Sequence, residues 1–93
     1  MDYKTYRRIP HCLRKYRIAS GLKQKDVARK MGLRSPSRIS RWEKGESIPN
    51  IVNLFKLAII YHVMIDALFI VLIRSLREEI KRNEESSLKK INY

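Results

Sequence analysis

The run from Gly21 to Gly45 constrains the fold more than any other part of the chain. It holds two short stretches of helical periodicity, Lys23 to Met31 and Ser35 to Lys44, joined by a tight connection. In the first stretch Val27, Ala28 and Met31 share one face, and Gly32 breaks the pattern. In the second, Ser35 can accept from an orphan amide at the cap, and Pro36 suits the first helical position. At roughly 100° per residue, Ile39 and Trp42 point one way and Ser37, Arg41 and Lys44 the other. Ser40 and Arg38 lie at the edges, and Glu43 flanks the apolar face. The second helix therefore presents an apolar side to the protein and a basic side to whatever lies outside.

The flanking segments read as helices too. Residues 1–8 are polar, basic and aromatic without an apolar period, the pattern of a flexible basic arm. Pro10 fits the first turn of a helix whose Leu13, Tyr16 and Arg17 follow i, i+3, i+4 spacing, and Gly21 ends it. After the loop Lys44 to Pro49, with Gly45 as cap, Asn50 caps a fourth helix with Ile51, Leu54, Leu57, Ala58 and Tyr61 on its inner face. His62-Val63 is a short connection. From Ile65 one continuous fifth helix is predicted through Leu68, Phe69, Leu72, Ile73, Leu76 and Ile80, fraying over Glu84 to Ser87 into a loose tail, Leu88 to Tyr93. No strand-like alternation or internal repeat intervenes. The expectation is an all-α protein of five helices over 9–69, with 70–93 as a C-terminal helical extension.

Charge narrows the class of partner. The chain of 93 residues carries 21 Lys and Arg against 9 Asp and Glu, a net +12. The excess sits in residues 1–69, with 15 basic and 5 acidic side chains, against 6 and 4 in 70–93. A concentrated positive excess suits a polyanion, since neutralised phosphates release their counterions. The single Cys12 cannot form an internal disulfide, which makes the reducing cytoplasm the expected compartment. Leu57 to Ile73 is largely apolar, yet it is only 17 residues long and contains His62 and Asp66. An Asp in mid-span costs ~2.5–3.5 kcal/mol and a span needs about 20 residues, so no membrane segment is expected.

The chain resembles the lambda-repressor/Cro (Xre) family of helix-turn-helix proteins. The matching residues are Leu22, Gln24, Val27-Ala28, Gly32, Ile39-Ser40-Arg41-Trp42-Glu43 and Gly45, continuing through Pro49, Leu54, Leu57-Ala58 and Leu68-Phe69. The resemblance covers roughly residues 9–69 and implies a five-helix lambda-repressor-like DNA-binding domain. Three departures stand out. Six residues, Leu33 to Arg38, separate Gly32 from Ile39, one more than the family pattern, and the extra one falls in the turn before the recognition helix. His62 stands where the family commonly has Gly, and Met64 where it tends to have Ser or Thr.

A helix in the major groove needs small or polar residues in its first half and a forked donor one turn on. Ser37 and Arg41 meet that need, with Arg41 able to engage O6 and N7 of a guanine; Arg38 is a third base-contact candidate. The resemblance implies that Gln24, at the start of its helix, meets a phosphate. Lys23, Lys25, Arg34 and Lys44 are phosphate candidates by charge and position. The resemblance also pairs Arg17 with Glu43 as a structural ion pair. Trp42 could stack on single-stranded bases, but its spacing from Ile39 places it in the core.

No nucleophile–base arrangement, phosphate loop or Cys/His cluster of ligand spacing is present, so neither catalysis, metal nor cofactor is expected. The leading expectation is a sequence-specific regulator of double-stranded DNA in the cytoplasm, associated with the nucleoid in a prokaryotic or phage setting. So short a chain leaves no effector domain, which favours repression by occlusion. Apolar Leu72, Ile73, Leu76 and Ile80 continue past the domain and predict a homodimer through the C-terminal helix. Folding back beside helix four or helix one is the alternative use of that stripe. An antitoxin-type protein, wrapping a protein partner with 70–93 while autoregulating, is a second functional reading. Non-specific RNA or single-strand binding is a third.

Overall fold

The first four helices all end alike. The computed structural model describes the backbone of residues 11–91 and side chains through Leu88. In it α1 (Leu13–Ala19), α2 (Gln24–Lys30), α3 (Ser37–Lys44) and α4 (Ile51–Tyr61) are each followed by a left-handed residue. These are Gly21, Gly32 and Gly45 at φ 71°, 77° and 78°, and His62 at φ 56°. One residue later an N–H reaches back into the last turn, as from Leu22 to the Arg17 carbonyl (3.2 Å) and from Val63 to that of Ala58 (3.0 Å). This closure satisfies carbonyls that a helix end leaves open. His62 adopts the conformation at a steric cost of about 1–2 kcal/mol, which glycine avoids. The arm over 1–8 and the placement of Pro10 lie outside the described residues.

Helix starts are less uniform. Asn50 caps α4 by accepting from the Asn53 N–H at 2.9 Å. The Asp26 carboxylate accepts from the Lys23 N–H at 2.9 Å and closes the first turn of α2. α3 begins at Ser37, one residue later than the expected start at Pro36. Pro36 sits at φ −79°, ψ 3°, in the lengthened turn, and its carbonyl already accepts from the Ser40 N–H. Ser35 accepts weakly from the Ser37 N–H at 3.4 Å.

Leu13, Val27, Ala28, Met31, Ile39, Trp42, Leu57, Ala58, Tyr61 and Leu68 form one buried cluster drawn from the first five helices. Leu13, Val27, Ile39, Leu57 and Leu68 are the largest of its fully buried side chains, each stabilising by about 1.5–3 kcal/mol. α3 packs against both α1 and α2, so the core holds it from behind. Ile51 departs from the expected core face and is 62% exposed. It lies in the first turn of α4, one turn before Leu54 and two before Leu57, where the helix has not yet reached the cluster.

The expected fifth helix is divided. α5 (Ile65–Leu68) stops at Phe69, whose φ −130°, ψ 27° is not helical, and α6 (Ile70–Ile91) follows. The break has a visible cause. The Leu68 carbonyl accepts from the Cys12 N–H at 2.8 Å, tying the chain to the start of α1, while Phe69 packs on the core in a T-shaped arrangement with His11. α6 then continues through Glu84 to Ser87 without fraying there. From Ile70 to Ile91 it contains no Gly or Pro and is rich in Leu, Glu, Lys and Arg, so two serines are too weak to end it. Among the described elements it packs chiefly on α5.

Candidate nucleic-acid interface

Trp42 and Ile39 root α3 in the core, and that burial decides what its other side presents. Ser37, Arg38, Arg41 and Lys44 are all exposed, with Ser40 half-buried between the faces. None of the three cations makes an ion pair among the described residues. Ser37 and Arg41, one turn apart, project from the same side. Lys23, Lys25 and Arg34 are likewise exposed, at the start of α2 and in the turn before α3. The sequence candidates for base and phosphate contact thus line two adjoining elements, apart from Gln24.

Behind this surface lies a buried charge cluster. The Arg17 Nε donates to Glu43 Oε2 at 2.6 Å and its Nη2 to Oε1 at 3.0 Å, a two-pronged pair. The third guanidinium nitrogen, Nη1, donates to the Leu22 carbonyl at 3.0 Å. Only 12% of the Arg17 side chain and 4% of the Glu43 side chain is exposed. The hydrogen bonds that Arg17 donates to Glu43 hold its pKa above its already high ordinary value. Tyr61, buried beside the pair, has its hydroxyl pushed far upward, first by burial and then by the Glu43 charge. The cluster locks the end of the recognition helix to α1 and so fixes how the basic face of α3 is turned.

Gln24 belongs to this cluster. Its Nε2 donates to Glu43 Oε1 at 3.1 Å, and the side chain is half-buried. A buried carboxylate needs several donors, and Glu43 obtains its third from Gln24. The side chain read from sequence as a phosphate contact also supports the Glu43 carboxylate in the free protein. Periodicity could not reveal this, because Gln24 and Glu43 sit on different helices. The one hint was a polar residue at the entry of α2 on the side that borders the core.

His11, assigned no role from sequence, is also part of the underside. Its Nδ1 accepts from the Leu13 N–H at 3.4 Å, and burial lowers its pKa against the opposing effects of the Trp42 backbone and Glu43. The folded state thus favours neutral His11, while the unfolded chain binds a proton from about pH 6.5 downward. This contribution to stability is complete above that pH and is lost as pH falls through the lowered folded value. Melting temperatures across pH 7 to 5 should fall more for the native protein than for His11→Gln. Parallel curves would show that His11 is solvated.

Among the described residues no group of three His, Cys, Asp or Glu could hold a metal ion. No described helix is long and apolar enough to cross a membrane. A family model described as helix-turn-helix matches residues 13–68, from the first residue of α1 to the last of α5. No curated protein and no solved structure matches the chain significantly.

Proposed function

Because the chain belongs to the lambda-repressor/Cro-like, Xre-type helix-turn-helix family of DNA-binding regulators, we propose that it is a sequence-specific, dimeric repressor of transcription. The observation that carries the reading is the exposed face of α3, where Ser37, Arg38 and Arg41 reach solvent and the two arginines make no ion pair among the described residues, on a helix locked from behind by Arg17 and Glu43. In this account Arg41 presents its fork to a guanine edge in the major groove, and Ser37 and Arg38 reach bases or the adjoining backbone. Lys23, Lys25, Arg34 and Lys44 meet phosphates on either side and set the register. Gln24 acts chiefly by holding Glu43, and so the helix, in place.

The dimer is built on the C-terminal helix. Leu76 and Ile80 are exposed on α6, and Leu72 and Ile73 are half-buried nearer α5. Two copies related by a two-fold axis would set their α3 helices on half-sites one DNA turn apart, and a dimer seated over a promoter excludes polymerase.

Base and phosphate roles separate in titrations against the preferred duplex and a scrambled one. Arg41→Ala should weaken specific binding by ~1–3 kcal/mol and relax preference at one symmetric position per half-site. Lys44→Ala should weaken both duplexes alike and reduce the salt slope by about 1. An Arg41→Ala protein that loses affinity equally for both sequences would make Arg41 a backbone contact.

A further inference from the structure

Among the described residues, two rows of large apolar side chains stand exposed. One runs along α4, where Ile51, Phe55 and Ile59 lie four residues apart, and Met64 extends it at the entry to α5. Ile59 is 72% and Met64 77% exposed, and a groove of about 530 Å³ runs between them and Phe55. The other runs along α6, where exposed Leu76 and Ile80 lie one four-residue step apart and exposed Leu88 lies two steps further, beyond Glu84. Exposed apolar side chains clustered in this way on a small domain mark a contact site.

The α6 ridge is out of reach of its own α4. Only one residue, Phe69, separates α5 from α6, and α6 leads away: the protein measures 59 × 24 × 20 Å. A helix of 22 residues is about 33 Å long, so much of that long dimension is α6 alone.

We propose that each ridge is the other's partner between two copies: α6 of one protomer lies across α4 of the second, and two-fold symmetry makes the contact twice. This deepens the dimer reading above and rests on it. Both ridges follow i±4 rows, the rows that interdigitate when helices cross at about −50°. Their lengths are compatible, about 12 Å from Ile51 to Ile59 and about 18 Å from Leu76 to Leu88. Charge favours the same pairing. α4 contains one charged residue, the exposed Lys56, whereas residues 78–85 of α6 hold four of the chain's nine acids against Lys81 and Arg82, a net charge of −2. In a chain of net charge +12, this is the segment that the basic body of a second copy attracts. A contact of α6 with α6 alone would leave both α4 ridges bare; the exchange covers all four.

Disulfide trapping tests the proposal in the full chain, with Cys12→Ala removing the native thiol. Chains carrying Phe55→Cys are co-expressed with chains carrying Ile80→Cys and mildly oxidised. The pair Ile59→Cys with Leu76→Cys is run in parallel to allow for register. The mixed species is expected as the dominant cross-linked product, lost when Leu76→Asp is added to the Ile80→Cys chain. A protein that sediments as a dimer yet gives only like-with-like products, or no mixed product at either pair, overturns this inference alone. A protein that sediments as a monomer overturns the dimer reading as well.

Discussion

Replacing Glu43 with alanine is expected to cost about 3–5 kcal/mol of stability, more than any substitution on the exposed face of α3. The cost follows from what the substitution leaves behind. Arg17 loses both prongs of its pair and keeps only the Leu22 carbonyl, with 12% of its side chain in contact with water. Gln24 loses its acceptor at the same time. For a domain of this size the loss corresponds to a melting temperature lower by ~12 °C or more. The double substitution of Arg17 and Glu43 by alanine should cost less than the two singles added together, because no buried charge is then stranded. A melting temperature unchanged in Glu43→Ala would mean that the pair contributes nothing to holding α3.

The second large effect is expected at Leu76. Leu76→Asp puts a charge on the α6 ridge beyond the domain core, where the side chain is exposed in the single chain. Helical circular dichroism and thermal unfolding of residues 11–69 should persist, while sedimentation shows monomers. Binding to a two-half-site duplex should drop by about 10²–10⁴-fold, the loss expected when two linked binding events become independent. Binding to a single half-site should change little. Unfolding of the variant, or a dimer that survives it, would place the interface elsewhere.

How far the sequence could be read depended on the range of the interactions involved. Elements fixed by local chemistry were legible: Asn50 as a cap, Gly21, Gly32 and Gly45 as stops, Ile39 and Trp42 as the inner face of α3. The pairing of Arg17 with Glu43, 26 positions apart, was legible through family resemblance alone, since no periodicity links two separate helices. Contacts that cross the fold without such a pattern were not. The break at Phe69 depends on the Leu68 carbonyl meeting the Cys12 N–H, and apolar spacing ran straight through it. Ile51 matched the inner face of α4 by phase and still lies outside, because phase says nothing of where along a helix the neighbouring core ends. Gln24 was assigned to a phosphate by the family resemblance at a helix start, and its partner on α3 became visible only once the two helices were placed together.

Selection of bound duplexes from a random pool, followed by competition with single-stranded DNA, tests the central claim most directly. The account predicts convergence on a two-fold motif with half-site centres one turn apart, roughly 34 Å. It also predicts that the preference at one position per half-site disappears in Arg41→Ala, and that single strands compete poorly. A pool that yields no motif, or single strands that compete as well as the selected duplex, would contradict it.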